Sequence, residues 1–250
     1  MKTKILFLSF ISALILSCNG DDDNSGSQPI PEDEKFLKNI VNLENQTFQF
    51  EYNSDKKLKS LNYANSYMVN AYYENNRVSS LHLLSYGENL EIYFQYDENG
   101  RISSVLQAEN VKQVVYDPDG NYYLAYDENG NETIIYLNEY DDIKKIVQYD
   151  AEYDETSEFL YLYDEDHKGA MTNSGHLNLH LLLCSSQDEN VEFINAFLAL
   201  FMSNKPVKTL SVEEGLINMY YEYDDQGFIS KGVAAGIDGE AEFIYNYIQL

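Results

Sequence analysis

Residues 116–131 read YDPDGNYYLAYDENGN, and the same order of tyrosine, aspartate, two free positions and glycine stands upstream as YDENGR at 96–101. Two readings compete for these stretches: acidic loops built to hold a metal ion, or corners of a sheet. The flanking residues favour corners. In TFQFEY (47–52), Phe48, Phe50 and Tyr52 share one side while Thr47, Gln49 and Glu51 share the other, the period of two that defines a strand. LEIYFQY (90–96) does the same with Ile92, Phe94 and Tyr96, and RISSVLQ, VKQVVY, NYYLAY, ETIIYL, IKKIVQY and EFLYLY carry the pattern to Tyr163.

Turn signals fall at Asp55-Lys56, Asn75-Asn76, Asn99-Gly100 and Asp119-Gly120, a repeat of 20 to 24 residues. Each repeat holds two short strands, so the repeats predict antiparallel hairpins stacked into a meander and a mainly β fold. Turn chemistry accounts for the motif letter by letter. Glycine or asparagine tolerates positive φ. Aspartate at the first turn position accepts backbone N–H groups two residues on. Tyrosine ends the strand with a ring that packs across to its neighbour.

A calcium loop of the EF-hand kind needs two more residues before its glycine and a glutamate at its twelfth position. Asp117-Pro118-Asp119-Gly120 and Asp127-Glu128-Asn129-Gly130 have neither. Strand counting also sends those two corners to opposite ends of the sheet, with Asp97 and Asp117 on one rim.

Residues 164–206 break the repeat. His176, His180 and Cys184 stand at i, i+4 and i+8, a helical face to which His167 adds a fourth zinc-type donor. The same stretch also alternates as a strand, with Leu177, Leu179, Leu181 and Leu183 on one side and the histidines on a wetter one. No glutamate stands where a zinc hydrolase helix carries its base, so neither metal nor cofactor is expected, and Cys184 reads as a buried thiol. DENVEFINAFLALFMSNKP predicts one inserted helix near 188–203, with Asp188 capping its start and Pro206 beyond its end.

The first residues give an address. MKTK precedes ILFLSFISALILS, a 13-residue run too short to span a bilayer, which ends at Cys18. Ile15-Leu16-Ser17-Cys18 resembles the bacterial lipobox, which implies a signal peptide over 1–17 and a diacylated, palmitate-type anchor on Cys18. Asp21, Asp22 and Asp23 resemble the export signal that sends Bacteroidota lipoproteins to the cell surface. Residues 18–34 are then a lipid anchor and flexible acidic linker, and 35–250 a single β domain.

The 250 residues carry 42 acidic against 16 basic side chains, a net charge of −26 that repels phosphate backbones and excludes nucleic acid as a partner. YFQYDENGRISSV (93–105) and YEYDDQGFISK (221–231) resemble the YD repeats of Rhs-type proteins. Lipobox, acidic linker, YD hairpins, the interrupting YDEDHKGAM segment and the closing YEYDDQGF strands together resemble a family of Bacteroidota lipoproteins of unknown function with a porin-like fold. That resemblance implies an antiparallel sheet curled into an open barrel-like form, and it brings no catalytic residues with it. A lipid-facing barrel is disfavoured, because the second strand faces carry Lys, Gln, Glu and Asn.

Three function classes follow. A non-catalytic surface module binding a glycan, peptide or envelope protein draws on the 23 tyrosines. A structural or assembly lipoprotein of the envelope is the alternative. A hydrolase with paired carboxylates about 5.5 Å apart or wider stands third, because the acidic excess selects no pair. If the aspartate corners are structural, calorimetric titration with calcium gives no heat and leaves the melting temperature in place; saturable heat at micromolar calcium overturns the corner reading.

Overall fold

The computed structural model describes residues 35–43, 46–63, 67–85, 88–175, 177–184, 200–212, 215–236 and 239–250. Cys18, Asp21, Asp22, Asp23, His176 and most of the helix expected near 188–203 lie outside them.

The hairpin reading holds along the chain. The first eight strands are β1 (Lys35–Asn42), β2 (Thr47–Tyr52), β3 (Leu58–Tyr63), β4 (Tyr67–Glu74), β5 (Arg77–Ser85), β6 (Glu88–Tyr96), β7 (Ile102–Gln107) and β8 (Asn110–Asp117). The next four are β9 (Tyr122–Tyr126), β10 (Glu132–Leu137), β11 (Ile143–Asp150) and β12 (Glu155–Tyr163). After an insert come β13 (Val207–Val212), β14 (Gly215–Tyr223), β15 (Ile229–Gly236) and β16 (Gly239–Gln249). Every strand pairs antiparallel with its neighbours in sequence, and β1 also pairs with β16, from Lys35↔Gln249 to Asn42↔Phe243. The sheet expected to curl into an open barrel-like form does curl, and it closes completely into a sixteen-stranded barrel. Closure removes both edges and satisfies the backbone groups an open meander would expose.

The corners are held as the motif predicts. Asp97 Oδ1 accepts the N–H of Arg101 at 2.8 Å. Asp117 Oδ1 accepts those of Asp119 and Gly120 at 2.9 and 3.2 Å, and Asp127 Oδ1 those of Asn129 and Asn131 at 2.9 and 3.1 Å. Asp224 repeats the device, and Asn53 and Asn138 perform it with an amide oxygen. Foremost the Arg101 N–H, for Asp97, and the Gly120 N–H, for Asp117, hold these carboxyls below the ordinary 3.8. The aspartates thus serve their own backbone. One detail differs from expectation: at the Asp117 corner it is Asn121, not Gly120, that takes the positive φ, at 48°.

Inward faces are apolar: Phe50, Leu61, Val69, Leu81, Ile92, Val105 and Ile146 are all buried. Outward positions of β2 and β3 carry Gln49, Glu51 and Lys59, exposed. Across β8 to β11 the outward face instead holds an aliphatic row, Val115↔Leu124↔Ile134↔Val147, directly paired strand to strand. The interior is thus the hydrophobic core, while exposed apolar side chains also stand outside this row, among them Leu160 and Leu162 of β12, Leu216 and Tyr220 of β14 and Ile244 of β16.

A sixteen-stranded barrel is wider than its own side chains can fill; at this strand number natural barrels enclose water. Here the insert between β12 and β13 supplies the missing volume. Met171, Leu177, Leu181, Leu182, Leu183, Cys184, Leu200, Phe201 and Met202 are buried in one core with the strand side chains. The stretch expected to alternate as a strand around His180 is helix α1, Asn178–Leu183. A short apolar run does not distinguish strand from helix by period alone, and a helix buried on most sides needs no polar face.

The returning limb of the insert is pinned to the wall by Asp142, 0% exposed, which accepts the N–H of Asn204 at 2.7 Å and of Lys205 at 2.9 Å. Asn204 O in turn accepts the Gly169 N–H at 2.7 Å, so close that a Cβ on Gly169 would meet the Ser203 carbonyl. Asp142→Ala leaves two N–H groups without their acceptor and is expected to lower stability by about 2 kcal/mol, read as a fall in the urea midpoint; an unchanged midpoint removes Asp142 as the pin.

Candidate functional site

Loop connectivity places both limbs of the insert, the start of β1 and the end of β16 at one rim. The corners at 53–57, 75–76, 97–101, 118–121, 138–142 and 224–228 share that rim, and Asp127 sits on the far one, as strand counting predicts. Among the described residues, the far-rim corners at 108–109, 127–131 and 151–154 contain no Lys, Arg or His. The insert rim gathers Lys35, Lys56, Lys57, Arg77, Arg101, Lys168 and Lys205.

A repeated local geometry builds the insert rim. Five tyrosines near the strand ends point into the barrel and donate their hydroxyls to a carbonyl of the preceding strand: Tyr52 to Leu37, Tyr73 to Leu58, Tyr96 to Val78, Tyr163 to Ile143 and Tyr221 to Val207, at 2.6 to 2.9 Å, while Tyr116 donates to Asn121 Oδ1 and Tyr223 to Asp164 Oδ2. Burial first raises Tyr52, Tyr73 and Tyr96 to about 12. These are structural phenols, not the wet-tipped stacking platforms that the tyrosine count suggests. Cations lie over their faces: Lys57 over Tyr73 at 5.2 Å, Arg77 over Tyr96 at 5.4 Å and Arg101 over Tyr116 at 4.0 Å.

Between these hairpins and the insert lies an open cavity of about 520 Å³. Lys56, Lys57 and Arg77 stand on its wall, with Tyr96, Leu179 and His180 among the remaining lining. Asp55 is its one carboxylate among the described residues, so no acid pair of the glycosidase kind is assembled there.

His180 Nε2 lies 3.1 Å from the Tyr96 hydroxyl, whose proton goes to Val78 O, so the imidazole donates. Phe94 meets the same ring edge-on, 4.8 Å between centroids. His167 sits on another wall, its Nδ1 3.0 Å from Asp164 Oδ2 and its ring stacked on Tyr223 at 3.9 Å. Cys184 is buried, and burial pushes its thiol well above the ordinary range, away from the thiolate a metal requires. The set of His167, His180 and Cys184 is not brought together, and among the described residues no three metal-type donors cluster.

The cavity itself was hidden from sequence reading. Its walls come from four separate hairpins and an insert, and only the strand register aligns them. The legible trace is the basic residue beside successive corners, at Lys57, Arg77 and Arg101.

No family model matches the chain, and no curated protein matches it. Among solved structures, a porin-like protein from Bacteroides uniformis is similar at 12% identity, over 88% of this chain and 99% of that one, with a TM-score of 0.34. The likeness is loose, and the closed barrel stands on its own strand pairing.

Gly100 serves the mouth twice: its φ is +81°, and a Cβ there would fall onto the Arg77 guanidinium. Gly130, at +87°, has open space beside it apart from Ala151 at 3.5 Å. Gly130→Ala is expected to lose about 1–2 kcal/mol for backbone conformation alone. Gly100→Ala should lose more, because Arg77 must also move, and equal urea midpoints for the two variants overturn the assigned contact.

Proposed function

We propose that this chain is a lipid-anchored lipoprotein of the outer membrane, exposed at the cell surface, that binds a ligand at the insert-rim mouth without transforming it. The observation that carries the binding role is the cavity: a volume within the roughly 300–1,000 Å³ of small-molecule sites, walled by side chains whose positions hydrogen bonds and ring contacts fix in advance. Preformed walls favour binding, since little conformational freedom is lost when the ligand enters.

The address rests on the leader. Cleavage before Cys18 and acylation of its thiol would tie the barrel to the membrane through residues 18–34. Seventeen residues of polar linker reach about 60 Å at most, enough to keep the mouth clear of the bilayer although the chain enters the barrel at that rim. Asp21, Asp22 and Asp23 would direct the anchored chain to the outer face.

A second reading, an assembly lipoprotein docked to an envelope partner, is favoured by the outward row Val115, Leu124, Ile134 and Val147, flanked by Tyr122 and Tyr136 in contact at 5.1 Å. The mouth and the row lie on different surfaces, so one experiment separates them. A glycan and peptide array probed with the protein should give hits that are lost in Leu179→Trp, which fills the cavity, and kept in Val115→Ser with Leu124→Ser. The reverse pattern supports the docking reading, and turnover of any hit overturns the non-catalytic role. Mass spectrometry of the processed chain should find a diacylglyceryl group on Cys18; a free or different N-terminus overturns the address.

A further inference from the structure

Among the described residues, Lys38, Lys144, Lys168 and Lys205, like the cations of the mouth, have no carboxylate within 4.0 Å, so the mouth is set apart by the gathering of such cations on one wall rather than by their lack of an ion pair. With 42 acids to 16 bases, a basic group has every opportunity to find a carboxylate. Lys35 does so with Asp224 at 2.6 Å, Lys145 with Glu158 at 2.8 Å and Lys231 with Glu242 at 2.6 Å. Among the described residues, Lys56, Lys57, Arg77 and Arg101 have no carboxylate oxygen within 4.0 Å, and three of the four line one cavity. They are held by rings instead. A ring positions a cation without neutralising it, and it leaves the in-plane N–H groups of a guanidinium open to an acceptor. Lys57 is steadied further by donating to Asn76 O and Oδ1, and Arg77 lies across the Cβ-free Gly100.

We propose that the mouth selects a ligand bearing an oxyanion, a carboxylate or a phosphate, on a body of about monosaccharide size. This rests on the reading of the mouth as a binding site and adds the charge of what it takes. Arg77 is the bidentate partner of the oxyanion and Lys56 and Lys57 the point charges beside it. Leu177, Leu179 and Ile102 offer an apolar floor to the uncharged part. The net charge of −26 does not prevent this. Charges beyond about 8 Å are screened at physiological salt, so a ligand inside the mouth responds to the cations within contact. The described far-rim corners at 108–109, 127–131 and 151–154 carry acids and no cation and offer such a ligand no comparable attraction.

The test titrates the full chain with glucuronate, glucose 6-phosphate and glucose by calorimetry at low and high salt. At least one of the two anions should bind about tenfold or more tightly than glucose, and its affinity should fall several-fold between 50 and 500 mM sodium chloride, both salt values set by the experimenter. Whichever anion binds more tightly identifies the oxyanion. Arg77→Gln combined with Lys57→Gln should weaken that anion by about tenfold or more while the urea midpoint stays near that of the parent. Glucose binding as tightly as the anions, and lost in Leu179→Trp, overturns the charge selection and leaves the mouth as the site. Anion binding untouched by the double substitution overturns the assigned residues. Absence of binding by all three probes overturns both the anion selection and the use of this mouth for sugar-sized ligands.

Discussion

A ring of sixteen strands encloses more space than its inward side chains can occupy, and the rest of this structure answers that constraint. A water-filled interior would require polar inward faces; these strands instead point Phe, Leu, Ile and Val inward. The void must therefore be closed with apolar matter, and the 164–206 insert brings it as Met171, three consecutive leucines, Phe201 and Met202. Packing at the density of a protein interior leaves little tolerance for a shifted filler. That explains the rigid hold on the insert by Asp142, Asn173 and Asn178, which tie it to the wall, to Lys35 O and to Met202 O. Between the described part of the filler and the rim hairpins a concavity remains, and that concavity is the mouth.

Much of this was legible in local chemistry. YDENGR declares its corner because aspartate, glycine and tyrosine each have one dominant job there, and the period-two faces name nearly every strand. What the local signals omit is anything decided by circumference. Closure through β1 and β16 joins segments some two hundred residues apart, with no signature in either alone. The run around His180 alternates well enough to pass for a strand, and it is helical because the lumen surrounds it on most sides. The cavity escaped for a related reason: Lys57, Arg77 and Leu179 are separated by more than a hundred residues at the extremes and meet only after register is set.

The tyrosines illustrate how one residue type divides its work. Inward Tyr52, Tyr73 and Tyr96 spend their hydroxyls on backbone carbonyls of the preceding strand, bridging to it beyond the last paired residues, Asn39↔Gln49, Ser60↔Asn70 and Ser80↔Tyr93. Outward ones such as Tyr72, Tyr93 and Tyr220 stay exposed. Counting rings therefore overstates the surface available to a ligand. The inward rings nonetheless hold the cations of Lys57, Arg77 and Arg101 at fixed places around the opening.

The seam between β1 and β16 has a kinetic consequence. Every other strand pairing joins neighbours along the chain, so hairpins can zip locally and early at little entropic expense. Lys35 and Gln249 must instead find one another across nearly the whole polypeptide, and ordering such a long loop is the least favourable single step. Joining them before the filler arrives would enclose an empty lumen. Loop entropy therefore favours an order in which a curled ribbon wraps its plug and locks last, with β1 acting as the latch.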